Sequence, residues 1–325
     1  MARILFIIDP LASLKAHKDS SVAMMRVAAQ RGHDLWVAEP SQLRTRWPAA
    51  HGCELSVLAT QIEVLAGPTA SASQGEPWCQ PLQQTRLIAS DFRAVIMRKD
   101  PPYDVDYHVC TQLLERFEQA GVPVFNRPRA LRDHGEKTAV LEFAEHAPAG
   151  LITTSLQDIR AFAEGYDRIV VKPLDAMGGS GIFVTHATDP NLPVIVETLT
   201  LHGVRQVMAQ RWLAEIAQGD RRVLLIDGEP FPYCLARIPP VGASRGNLAA
   251  GGRGEARPLC EADRRIAGAL GPVLKSRGLF LVGLDIIGDC LTEINITSPT
   301  GFQEIAQQTG HDPATAWINA LESRL

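Results

Sequence analysis

The chain has 325 residues, of which 46% are hydrophobic and 21% charged, with a formal net charge of −4. That length holds two or three compact domains, and the charge excludes the basic surface a nucleic-acid partner needs. The six cysteines, at 53, 79, 110, 234, 260 and 290, form no C-x-x-C, and the nine histidines show no metal-ligand spacing with them. Free thiols in a reducing cytoplasm are expected.

The first apolar run has only five residues before Asp9-Pro10, too short for a signal core or a membrane span, so it reads as a strand at 3–8. KDSS at 18–21 supplies caps for a helix at about 21–31 stopped by Gly32, and 35–38 follows as a strand. This β-α-β opening implies a parallel sheet, but without G-x-G-x-x-G it lacks the dinucleotide turn. Faint strand signals lie at 54–58 and 61–65, and 67–85 reads as an exposed loop. A strand at 94–97 then runs into Arg98-Lys99-Asp100-Pro101-Pro102, where ligands of open α/β sheets sit. A helix at 106–120, with Val109, Leu113 and Phe117 on one face, and a strand at 122–125 complete the unit.

Asn126-Arg127-Pro128 marks a boundary, followed by a polar helix-loop and by a capping box, Ser155-Leu156-Gln157-Asp158, for a helix to about 164. A strand at 168–171 delivers Lys172 into PLDAMGGSG, and 182–185 returns as its partner. Lysine at a strand end facing glycines is a phosphate-site arrangement, although the chain has no Gly-Lys pair and hence no Walker A motif. Strands follow at 204–212 and 221–226, and Asp227-Gly228 signals a two-residue hairpin into 229–238. Pairing 226 with 229 places Arg222 and Arg237 on one face, while Pro230 and Pro232 suggest an edge strand. The five glycines of 239–255 leave that stretch open between a disordered surface loop and a lid over a ligand. Helices at about 261–277 and 315–325 flank the most informative stretch.

That stretch is LVGLDIIGDCLTEINITSP, at 281–299. Two apolar runs flank Gly288-Asp289, so it reads as a hairpin. Glu293 and Asn295 share a face. Asp285 joins them only if the loop holds an odd number of residues, such as Gly288-Asp289-Cys290; a strict two-residue turn puts it on the opposite face. The acids are either solvated on an outer face or paired with a cation. Their apolar neighbours favour the second, and an oxygen-only set suits Mg²⁺ held against phosphates.

Seven long strings stand out: IDPLASLKAHKDSS at 8–21, MRKDPPYD at 97–104, NRPRALRDHGEK at 126–137, VKPLDAMGG at 171–179, DGEPFPYCLARIP at 227–239, RGNLAAGGRGE at 245–255 and VGLDIIGDCLTEINITSPTG at 282–301. Through them the chain resembles the prokaryotic glutathione synthetases of the ATP-grasp superfamily. Ala176 stands where glycine is expected in the DGMGG turn, and 48–88 matches nothing.

The resemblance implies an α/β and α+β chain, an ATP-grasp fold with an N-terminal parallel-sheet domain. Its divisions would be a substrate domain at 1–126, a central subdomain at 127–204 and a C-terminal subdomain at 205–325 with a lid at 239–255. It implies ligation of glycine to γ-glutamylcysteine by ATP, with Mg²⁺ or Mn²⁺, in a cytoplasmic homo-oligomer that binds neither nucleic acid nor membrane. Lys137, Lys172, Gly178, Gly179, Gln210 and Leu213 would hold ATP, and Asp285, Glu293 and Asn295 the metal. Arg222, Arg237, Arg245 and Asn247 would act on the reacting groups, and Asp19, Ser20, Arg98 and Ser298 on the peptide. A related carboxylate-amine ligase, or a nucleotide-binding protein without turnover, would share part of this set.

Overall fold

Three sheets carry the chain in this computed structural model, which describes residues 1–49, 52–65, 77–243, 246, 248 and 251–325. The first sheet grows around β1 (Arg3–Ile7), whose Ile4, Leu5, Phe6 and Ile7 are all fully buried. Burial on both faces is what helices above and below a parallel strand provide. Next come α1 (Ser20–Gln30), capped by the Asp19 carboxylate on Val22 N at 2.9 Å, and β2 (Asp34–Ala38). After β3 (Leu43–Ala49), β4 (Gly52–Val64) and β5 (Cys79–Ile88), the parallel part resumes with β6 (Ala94–Met97), α2 (Val105–Gln119) and β7 (Val124–Phe125). The order is β3-β4-β2-β1-β6-β7, with β5 on β4.

Two expectations fail in this sheet. The faint signals at 54–65 are one long strand, and 79–85 belongs to β5, not to a loop; residues 66–76 lie outside those described. Residues 80–86 of β5 are all exposed, so no alternation of apolar and polar residues marks the strand. On α2 the inward face is Cys110, Leu114 and Phe117, while Val109 is 43% exposed.

A short helix α3 (Pro128–Asp133) and a 3-10 segment (Thr138–His146) lead to the second sheet. It comprises β8 (Gly150–Thr153), α4 (Leu156–Glu164), β9 (Ile169–Pro173), β10 (Phe183–Thr185), α5 (Leu192–Leu199) and β11 (Val207–Arg211), in strand order β10-β9-β11-β8. Because β11 pairs with β8 and β9, this sheet runs past the division expected at 204.

The third sheet is antiparallel, in order β14-β13-β12-β15-β16. Its strands are β12 (Asp220–Ile226), β13 (Glu229–Ile238), β14 (Arg253–Pro258), β15 (Leu281–Ile287) and β16 (Cys290–Asn295), with α6 (Glu261–Ser276) between β14 and β15. Residues 253–255 are therefore strand, not lid. β13 is interior, not an edge; Pro232 falls in the stretch where the β12–β13 register shifts, between the pairs Val223–Cys234 and Leu225–Pro230, so the ladder does not need its missing N–H. Finally α7 (Phe302–Thr309) and α8 (Pro313–Glu322) return to the first sheet, where the Trp317 ring packs at a tilt against Phe6, centroids 6.1 Å apart.

Candidate active site

The β15–β16 hairpin turns on two residues, since Ile287 pairs with Cys290 and Ile286 with Leu291. The odd-length loop is thus absent, and two-fold alternation alone would point Asp285 away from Glu293. A bulge restores the face. Thr292 has no partner across the ladder, so Asp285 pairs with Glu293 and Gly283 with Asn295. Thr292 Oγ1 donates to the Asp285 carbonyl at 3.1 Å. All three side chains line one cavity of about 710 Å³ between the sheets.

The acids are held by cations from other segments of the chain. Arg222 donates to Asp285 through Nε at 2.5 Å and Nη2 at 3.1 Å, and Arg237 Nη2 lies 2.7 Å from the same carboxylate. The expected shared face of these arginines survives the register shift because the shift spans two residues. Burial would raise the Asp285 carboxyl, but the two guanidiniums hold it well below the usual carboxylate range. Arg237 also contacts Asp220, whose carboxyl is pushed up to about 6 by burial, with the Asp285 charge adding to the rise and Arg237 opposing it. Lys137 donates to Glu293 Oε1 at 3.0 Å and to the Ala176 carbonyl at 2.6 Å. Lys172, at the end of β9, reaches the Thr292 carbonyl at 3.3 Å; burial lowers its pKa and the Glu293 charge opposes that.

The remaining wall sorts by chemistry. Ala176, Met177, Gly178, Gly179 and Ser180 form a turn beside the lysines. Pro148, Val170, Gln210, Trp212, Leu213 and Ile216 make a largely apolar slot at one end. At the other end stand Asp19, Asp100, Ser298 and Glu304. Ser20 and Arg98 lie behind that wall. Ser20 Oγ accepts from Phe302 N at 3.3 Å, and Arg98 donates to Ser21 Oγ at 2.9 Å and to the Pro299 carbonyl at 3.0 Å. Arg245 and Asn247 lie outside the described residues, while Gly246 and Leu248 line the cavity. Sequence reasoning missed Asp220, which faces Arg237 only because of the β12–β13 bulge, and Glu136, whose one signal was its place beside Lys137.

No three His, Cys, Asp or Glu side chains among the described residues cluster as a metal site by themselves. The set to hand is two carboxylates and one carboxamide, all oxygen donors, which fits a hard divalent cation completed by phosphate oxygens.

Residues 2–132 match the N-terminal domain of prokaryotic glutathione synthetase, and residues 136–310 match its ATP-grasp domain. The chain belongs to the prokaryotic glutathione synthetase family. A glutathione synthetase of Ralstonia nicotianae is 48% identical over 320 residues, 98% of this chain and 95% of that one. Another, of Vibrio cholerae, is 44% identical over 325 residues, 100% of this chain and 98% of its own. The solved structure of the D-cycloserine synthetase DcsG superimposes with a TM-score of 0.66 over 99% of both chains at 16% identity, which shows the fold alone. This glutathione synthetase family member is an ADP-forming ligase of ATP-grasp fold, and the family works with ATP and a divalent metal. No helix among its described residues is long and apolar enough to cross a membrane.

Proposed function

We propose that the cavity joins glycine to γ-glutamylcysteine in two displacements. The cysteinyl carboxylate attacks the γ-phosphorus of ATP and ADP leaves; the glycine amine then attacks the acyl carbon and phosphate leaves, giving glutathione. The observation that carries this reading is the convergence of Lys137, Lys172, Arg222 and Arg237 with Asp285, Glu293 and Asn295 on one cavity. Such a set does its work by positioning and by neutralising charge, without a covalent enzyme intermediate.

Lys137, Lys172 and the turn at Gly178 and Gly179 hold the phosphates, while adenine lies in the slot of Gln210 and Leu213. Asp285, Glu293 and Asn295 would hold Mg²⁺, or Mn²⁺ in its place, which when bound neutralises phosphate charge. Arg222 and Arg237 face the acyl phosphate and the oxyanion formed when the amine attacks. Asp19 and Ser298 line the peptide end, with Ser20 and Arg98 acting through the wall they brace. The parts expected of Arg245 and Asn247, contact with the dipeptide and exclusion of water from the acyl phosphate, fall on residues outside those described. We divide the chain into a substrate domain at 1–126, a central subdomain at 127–211 and a C-terminal subdomain at 212–325 with its lid at 239–252. A cytoplasmic homo-oligomer completes the proposal; six unpaired cysteines support the compartment, and sedimentation velocity reads the assembly.

The test is a matrix of phosphate-release assays with ATP and Mg²⁺, crossing γ-glutamyl and ordinary dipeptides with glycine, alanine and water. ADP, phosphate and tripeptide should appear in equal amounts only with γ-glutamylcysteine and glycine. Preferred turnover with another carboxylate or amine would overturn the substrate assignment.

A further inference from the structure

We propose that Glu136 is a positioning residue that fixes Lys137 against the strand carrying Glu293 and Asn295. β16 is the outer strand of the third sheet, so N–H groups on its free side need acceptors from elsewhere. Glu136 supplies them. Its main-chain carbonyl accepts from Ile294 N at 2.9 Å. Its carboxylate Oε1 accepts from Ile296 N at 2.9 Å, Thr297 N at 3.1 Å and Thr297 Oγ1 at 2.9 Å. Residues 294 and 296 are two apart and so present their N–H groups to the same side of the strand. The chain at Glu136 is thereby docked along β16 much as one more strand would be.

The next residue is Lys137, and this docking sets where its Nζ arrives, at Glu293 Oε1 and the Ala176 carbonyl. Among the described residues no cation pairs with Glu136. A half-buried carboxylate without a counter-ion is costly, and here three donors from one segment offset the cost. Burial and then the Glu293 charge push its carboxyl above the usual range, while those donors pull it back. Glu136 therefore joins the linker between the first two sheets to the edge of the third.

The inference rests on Lys137 holding a nucleotide phosphate, so Lys137→Ala is measured beside Glu136→Ala, Glu136→Gln and Thr297→Val. The probe is equilibrium ADP binding without added metal, with KM values for ATP and γ-glutamylcysteine and the thermal midpoint alongside. Glu136→Ala should weaken ADP binding about tenfold and raise KM for ATP in step, with KM for the dipeptide within about twofold. Glu136→Gln keeps an acceptor oxygen of the same reach and should recover most of the loss. Thr297→Val, which removes one of three donors, should weaken ADP binding about threefold, and it decides the matter should Glu136→Ala not fold. Unchanged ADP affinity in Glu136→Ala or, failing that, in Thr297→Val overturns the inference. So does a fall in ADP and dipeptide binding together that tracks the thermal midpoint, which is plain loss of structure. Should Lys137→Ala itself leave ADP affinity unchanged, the underlying phosphate assignment fails instead.

Discussion

The two walls of the cavity are built on opposite principles. On the third-sheet wall Asp285, Arg222 and Arg237 are each at most 6% exposed and tied to one another, and Gly283 lies under the Arg222 side chain. On the second-sheet wall half of the turn at 174–181 is exposed, with Met177 48% exposed and three glycines at positive φ. A site that must stabilise developing charge gains most from groups already fixed in place, since they need no reorganisation as the reaction proceeds. A wall that admits a nucleotide gains from a backbone that can approach phosphate oxygens closely. Charge placement and access are thus assigned to different sheets.

Breaking the fixed wall should have the largest effect. Asp285→Ala leaves two buried guanidiniums without their shared carboxylate, and removing one partner of a buried pair costs about 3–5 kcal/mol. The urea midpoint should fall accordingly, with activity lost; a variant of unchanged midpoint would show that the arginines do not depend on Asp285. Next, Lys137→Ala and Lys172→Ala should each weaken ADP binding by about 1.5–3 kcal/mol, the worth of a charge-assisted contact, while dipeptide binding holds. Calorimetric titration with each ligand separates the two.

Gly283→Ala sharpens the contrast. A Cβ there would lie 2.7 Å from Arg222 Cδ and 2.9 Å from Pro299 Cβ, so Arg222 must shift. Overpacking of this kind costs about 1–3 kcal/mol, and kcat should fall more than KM for ATP rises. Equal loss in both would mean that the arginine serves binding rather than turnover. The smallest effect belongs to the open wall. Gly178 has φ +63° with nothing within 4 Å of an added Cβ, so Gly178→Ala meets only backbone strain of about 1–2 kcal/mol. KM for ATP should rise a few-fold with kcat nearly unchanged.

Much of this plan was legible in residue order. The β-α-β opening, the lysine at the end of β9 and the two-residue turn at Asp227-Gly228 each rest on local chemistry, and the structure places them as read. What escaped was register. The bulge at Thr292, which brings Asp285 opposite Glu293, leaves no mark on composition, because it is a choice between two ladders that the same residues could form. The same holds for Asp220 opposite Arg237. β5 escaped for another reason: a strand exposed on both faces has no burial to impose a pattern.

The packing of Trp317 against Phe6 ties the first strand to the last helix while the chain is being made. Phe6 belongs to a core shared with Met24 and Met25 of α1 and with Trp317, Ile318 and Leu321 of α8, so the face of the first strand keeps only the α1 part of its cover until α8 has been synthesised. About 300 residues separate the two, which at about 5–20 residues per second is roughly 15–60 s of translation. Through that interval the nascent N-terminal sheet presents an apolar face whose α8 cover is still unmade.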